Sequence, residues 1–251
     1  MCTLSWWISE KNRGLFFNRD ENRNRPRSLA PQIIERTTDS QPCKILMPTD
    51  PQAGGTWIGV NQHGLILALL NHYPENQISR PGNLSRGLLV IDLLTKHASP
   101  ETCFTELTQI DLTQRSGFVL FAMNLQDEPM IASWNGSQFT APALPKPPHL
   151  HYLTSSSFQP EACLAYREQL FSQTGSPTSP AQLKTLHHHY DPAAPAYSPL
   201  MQRPDSATES ITEIVIDEKN ARMTFQPIQG TPPSPQNTIY KKLPLSPPTH
   251  N

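Results

Sequence analysis

A cysteine stands directly behind the initiator methionine, and an Arg19-Asp20 pair follows after one short polar turn. Once the methionine is removed, as is usual before a small second residue, Cys2 carries both a thiol and a free α-amine. Nucleophile and base then share one residue. The amine titrates at about 7.7 to 8 and the thiol at about 8.5, so a proton passes between them at neutral pH without a large shift in either. Arg19 nearby would favour the thiolate, and Asp20 would hydrogen-bond and orient the amine. The plainer alternative is a buried small hydrophobe at position 2 and a solvated turn at 18–21, whose ion pairs are worth under about 1 kcal/mol.

The elements decide whether these groups meet. Leu4, Trp6 and Ile8 alternate with Thr3, Ser5 and Trp7, and a second apolar run, GLFFN, follows, which predicts a hairpin. A turn at Glu10 to Arg13 sets Ile8 opposite Gly14 and Cys2 opposite Asp20, within one residue of register. A second hairpin is predicted from TWIGV and GLILALLN, with Gly64 at a turn position that needs positive φ. Ser85 caps RGLLVIDLLTKH, and Ser99-Pro100-Glu101 starts a helix through PETCFTELTQI. GFVLFAMN and PMIASWNG form another strand pair, and HLHYLTSS is a strand entering a loop. Helices begin at Pro160, running through Phe171, and at Ser179-Pro180, running toward His189. ITEIVID and ARMTFQPI close the series as a hairpin. Paired strands with helices in blocks between them define an α+β fold of antiparallel sheets covered by helices.

Composition narrows the function. The chain has 251 residues, long enough for one substantial core; a single domain over 1–230 and a proline-rich tail over 231–251 are expected. Twenty basic residues against 21 acidic ones leave a net charge of −1, which argues against a nucleic-acid partner. No apolar run reaches the roughly 20 residues of a membrane span and no signal-peptide order is present, so a cytoplasmic location without a transmembrane segment is expected. The four cysteines show no CxxC spacing, which argues against a zinc ribbon or a dithiol centre.

Two further groups have competing readings. Gly54-Gly55-Thr56-Trp57 either lets the backbone approach a ligand or permits a tight strand entry; Trp57 either lines a pocket mouth or packs in the core. His187, His188 and His189 are adjacent on a helix, about 100° apart, so they do not converge on one ion and no metal site is expected. They read as a helix C-terminus, where imidazolium is favoured by the dipole.

FFNRDE at 16–21, PQAGGTWIGVNQHGLILALLN at 51–71 and SRGLLVIDLL at 85–94 together resemble the NRDE family, also called the transport and Golgi organization protein 2 family. The likeness continues through LTSSSF, HYDP and RPDSATESITEI, ending near the proline-rich tail. That family is similar to the cysteine branch of the N-terminal nucleophile hydrolases. The resemblance implies a four-layer αββα sandwich, a nucleophile at Cys2, and Arg19 and Asp20 beside it. It also implies an oxyanion donor at Asn71. Where the bile-salt branch has an asparagine after its LT strand, this chain has Ser155. Loss of such a donor costs about 10²–10³ in rate. Arg203 is the candidate distal basic residue, and Trp57 and Ser155 are candidate binding residues.

Two functions from different classes follow. One is an amidohydrolase or acyl-transfer enzyme cleaving linear amides through a Cys2 thioester, with a small-molecule acyl substrate and no cofactor. The other is a non-enzymatic haem or lipid binding and trafficking protein on the same scaffold, as the family's links with haem handling and lipid homeostasis imply.

Overall fold

Strand β1 (Cys2–Ile8) turns through Ser9 to Asn12 into β2 (Arg13–Asn22), pairing Cys2 with Arg19 and Ile8 with Arg13. The turn is one residue tighter than expected, so Arg19, and not Asp20, lies directly opposite Cys2. Both faces of β1 are buried. Leu4 and Trp6 enter the main apolar core, whereas Thr3 and Ser5 bond to side chains of helices on the other face. The computed structural model describes residues 2–38, 41–73, 82–141, 151–173 and 179–246. Position 1, the proline-rich stretch at 142–150 and the end of the tail from 247 lie outside them.

Two antiparallel sheets form the body. The first runs β10 (Tyr152–Ser155), β1, β2, β11 (Ser206–Ile216), β12 (Asn220–Gln229), and β12 then pairs with both β13 (Ser234–Pro235) and β14 (Ile239–Pro244). Residues 239–244 of the proline-rich segment are thus a strand of this sheet. The second runs β3 (Leu29–Thr38), β4 (Gln41–Thr49), β5 (Ile58–Asn61), β6 (Ile66–Asn71), β7 (Phe118–Met123), β8 (Met130–Trp134) and β9 (Phe139–Thr140). Between β5 and β6, Gly64 takes φ 80°, as the turn requires.

Helices α1 (Arg86–Lys96) and α2 (Pro100–Leu107) start at the Ser85 and Ser99 caps, each serine accepting a backbone N–H of the first turn. Their apolar stripes share a core with the outer face of the second sheet, through Leu89, Leu93, Phe104 and Leu67. Helices α3 (Pro160–Gln173) and α4 (Pro180–His187) cover the first sheet, where Phe171, Leu183 and Leu186 meet Trp7 and Phe16. Between the sheets lies the largest apolar cluster, with Leu4, Phe17, Val60 and Phe121. The layers are therefore helix, sheet, sheet, helix: the expected αββα sandwich.

The histidine run departs from expectation. His188 caps α4, but His187 is fully buried, its Nδ1 2.7 Å from Asn18 Oδ1 and its Nε2 2.7 Å from Ser5 Oγ. Asn18 spends its amide N–H groups on the carbonyls of His187 and Pro199, so its Oδ1 must accept and His187 must donate from Nδ1. His187 is then a neutral imidazole, pushed down to about 3 by burial and by the neighbouring His188 and Arg167 charges. Packing, not the helix dipole, decides its state.

A proton that the unfolded chain takes up near pH 6.5 is refused by this site until about pH 3. The stability His187 contributes is complete above pH 6.5 and is lost as pH falls below it, by up to about 1 kcal/mol per unit. Urea midpoints measured from pH 7.5 to 5 should fall with pH in the wild type and fall less steeply in His187→Gln.

Candidate active site

The pleat of β2 sends Arg19 and Asp20 to opposite faces of the first sheet. Cys2, opposite both Arg19 on β2 and Ser155 on β10, shares the inner face with Arg19. Asp20 lies one step further along, past the first described residue of β1, beside the chain end. Cys2 and Arg19 open onto a cleft of about 410 Å³ whose lining also includes Asp20, Trp57, Asn71 and Arg86.

Arg19 is nearly buried yet densely partnered. Its guanidinium stacks over the Trp57 ring at 4.3 Å, bonds Glu21 at 2.8 Å, lies 3.8 Å from Asp50, and pairs with Glu209. A one-residue bulge in β11 makes the last contact: Thr208 pairs with Asp20 and Ser210 with Arg19, leaving Glu209 extra. Glu209 is held in turn by Ser28, whose hydroxyl donates to it at 2.8 Å. Arg25 completes the cluster by pairing with Asp50 and with Glu21 at 3.4 Å.

Asp20 occupies the other face. Its Oδ1 accepts from Thr208 Oγ1 at 2.6 Å, and its Oδ2 is buried with no hydrogen-bond partner among the described residues. Among the described residues, the cation within ion-pair reach of Oδ2 is Arg167 of α3, at 3.9 Å, wholly buried. Burial pushes the Asp20 carboxyl up and Arg167 opposes this. Burial also pushes the Cys2 thiol up; the positive charge of the chain terminus opposes this, the Asp20 charge adds to it, and an Asp20 backbone hydrogen bond and Arg19 pull it back. The resting sulfur is a thiol.

The remaining predicted residues divide. Asn71, at the end of β6, lines the cleft and donates to the Tyr73 hydroxyl at 2.9 Å. Trp57 also lines it, with a buried Nε1–H that has no partner among the described residues. Ser155 stands opposite Cys2 with its hydroxyl buried and likewise unpartnered. Arg203 does not line the cleft; it pairs with Asp205 and stacks on Phe158 at 4.8 Å. Gly55 serves packing, since a Cβ there would fall 2.7 Å from the Gly87 Cα in the first turn of α1. Among the described residues no cluster of His, Cys, Asp or Glu is arranged to hold a metal. Cys43, Cys103 and Cys163 are buried free thiols.

Several site residues gave no usable sequence signal. Arg86, bonded to the Gly117 carbonyl at 2.7 Å, enters the cleft as the first residue of α1. Glu209 depends on a bulge. For Arg167 one signal existed: Cys163, Arg167 and Phe171 recur every four residues and are the buried positions of α3, so a charge sits in a core stripe.

The two sheets, their helical covers and a cysteine at the start of an inner strand define an N-terminal nucleophile hydrolase fold. Solved structures agree. The C2A mutant of conjugated bile acid hydrolase from Clostridium perfringens matches with TM-score 0.53 and 11% identity, over 95% of this chain and 92% of that one. The Caenorhabditis elegans ortholog of N-acylethanolamine-hydrolyzing acid amidase matches with TM-score 0.55 and 11% identity, over 85% and 92%. The chain belongs to the Transport and Golgi organisation 2 family, whose profile matches residues 1–226. No curated protein matches it in sequence. No helix among the described residues is long and apolar enough to cross a membrane.

Removing Arg19 would leave Glu209 and Glu21 facing each other without their shared cation. Breaking a buried ion pair from one side costs about 3–5 kcal/mol. Arg19→Met should therefore lower the urea midpoint sharply, whereas Arg19→Met combined with Glu209→Gln should recover part of the loss.

Proposed function

We propose that the protein is an N-terminal-cysteine amidohydrolase or acyl-transfer enzyme acting on linear amides. The observation that carries this reading is the Cys2 thiol at a cleft beside Arg19, together with a buried Asp20 oxygen whose accepting capacity is unfilled next to the chain end. An α-amine at Cys2 supplies the partner that Asp20 Oδ2 lacks. It is also the base that a protonated, buried thiol requires.

In the reaction, the amine takes the thiol proton as the sulfur attacks the amide carbon and the carbonyl electrons move onto oxygen. Asn71 is the candidate donor to that oxyanion, its second amide N–H remaining after the bond to Tyr73. As the tetrahedral adduct collapses, the ammonium returns its proton to the leaving amine, and an acyl thioester stays on Cys2. Water, deprotonated by the same amine, then releases the acid; another nucleophile in its place would give acyl transfer. Ser155 offers a hydroxyl beside Cys2 where the bile-salt branch has an amide.

Haem or lipid carriage without chemistry would use the same cleft. Cys2 is the one sulfur ligand among its described lining residues, and no histidine is among them, so the lining supports acyl transfer better than haem ligation.

Intact-mass measurement of the protein should show Met1 absent, and an amide-directed acyl probe should label Cys2. Cys2→Ala should abolish labelling, and Asn71→Ala should slow it by about 10²–10³. A retained methionine, or labelling that survives Cys2→Ala, would reject the enzymatic reading; a saturable Soret shift on haemin titration would then favour carriage.

A further inference from the structure

Arg167 is the largest wholly buried side chain that the reaction above does not use. Its Nη1 donates at 2.6 Å to both Thr3 Oγ1 and Thr154 Oγ1, its Nη2 at 2.8 Å to the Ser198 carbonyl, and its Nε at 2.9 Å to the Tyr197 carbonyl. These acceptors are all uncharged. Among the described residues, the carboxylate within ion-pair reach of it is Asp20, whose Oδ2 lies 3.9 Å away, the same oxygen that has no hydrogen-bond partner among them. Such a guanidinium cannot shed its proton, so a fixed positive charge lies directly behind the carboxylate.

That placement bears on the base. A buried carboxylate alone beside an α-amine would hold the amine as ammonium, since an opposite charge at short range favours the charged form. An ammonium cannot accept the thiol proton. We infer that Arg167 is a positioning residue for the reaction, its guanidinium balancing the Asp20 carboxylate from behind so that Asp20 orients the Cys2 amine by a hydrogen bond while leaving it free to take a proton. The inference rests on the proposed N-terminal nucleophile.

Other charges face the same point, and none takes this role. On β2, Arg19 is on the opposite face of the sheet and is saturated by Glu21 and Glu209. Arg203, ahead of β11, acts on Asp20 only at longer range and is neutralised by Asp205. Tyr152 on β10 is near Arg167 and is uncharged at neutral pH, burial holding its hydroxyl up at about 12. Arg86 of α1 and Arg19 also act on Cys2, but both belong to the cleft side, Arg86 bonded to the Gly117 carbonyl; Arg167 is the cation within ion-pair reach of Asp20 itself.

The test uses the full chain in a Cys2→Ala background, which keeps a processed α-amine and removes the competing thiol. Intact mass first establishes that Met1 is absent. The amine pKa is then read from the pH dependence of N-terminal acetylation by acetic anhydride, followed by mass spectrometry. Arg167→Met should raise that pKa by at least one unit, a tenfold change in the free-base fraction near neutrality, whereas Arg167→Lys should leave it within about half a unit. The double variant Asp20→Asn with Arg167→Met should return close to the parent. Should Arg167→Met alone not fold, the same charge is measured by comparing Asp20→Asn with the double variant, where the retained guanidinium should hold the amine at least one unit lower. An unchanged pKa in a processed, folded chain overturns the role of Arg167 alone. Retention of Met1 overturns the proposed nucleophile and this inference together.

Discussion

A carboxylate with no access to water needs a countercharge or it takes up a proton, and the buried Asp20 carboxyl group imposes that constraint on the whole first sheet. Its countercharge comes from α3, a helix that must therefore pack with Arg167 against the sheet and not toward solvent. The helix does so by surrounding the guanidinium with acceptors: two threonine hydroxyls from β1 and β10, and two carbonyls of the chain after α4. Thr3 and Thr154 are thus polar residues on buried strand faces for a reason. They convert an apolar sheet–helix interface into one that tolerates a cation. Further along the same interface, Ser5, Asn18 and His187 form a second polar chain that stays uncharged, its imidazole held neutral by burial. The two networks anchor α3 and α4 by different means, one through compensated charge and the other through matched hydrogen bonds.

The pleat then separates two electrostatic jobs that adjacent residues perform. Arg19 and Asp20 are neighbours in sequence and lie on opposite faces of the sheet, Arg19 opposite the first residue of β1 and Asp20 one step past it. On the inner face, Arg19 confronts a cleft and is fixed by Trp57, Glu21 and Glu209; on the outer face, Asp20 is fixed by Thr208 and Arg167. The β11 bulge serves both sides at once, since continuing the register that pairs Ser210 with Arg19 and Ile211 with Asn18 would set Glu209 opposite Asp20 and Thr208 opposite Glu21.

Much of this was legible in the sequence because it depends on short-range rules. Alternation in CTLSWWI and the polar break after it gave the first hairpin to within one residue, and serine caps with proline at the first helical position gave the helix starts. What escaped depends on partners distant in sequence. Strands β3 and β4 carry Pro31, Pro42 and Pro48, and β14 is lysine-rich; each is stabilised by pairing that no local pattern announces. Arg167 was hidden by its own type, since a charge in a helix is normally assigned to solvent, and here only a buried carboxylate from another element reverses that. Asn18 and Ser5 fix which ring nitrogen of His187 donates, and neither is near it in the chain. The proline-rich composition of 231–251 likewise gave no sign that residues 239–244 extend the first sheet.

The site also differs from a cysteine centre that stores a ready thiolate. Cys2 is almost fully buried, and burial raises its thiol against the pull of Arg19, so the fold does not maintain a free anion at the cleft. On the proposed reading a base acts during attack, and no histidine is among the described residues lining the cleft to supply one. The α-amine of a processed Cys2 would be placed by the same register that places the sulfur and sets Arg19 opposite it. A strand whose first residue carried both sulfur and amine would need no second element to deliver a base; it would need only a neighbouring strand that holds a carboxylate on one face and a guanidinium on the other, as β2 does with Asp20 and Arg19.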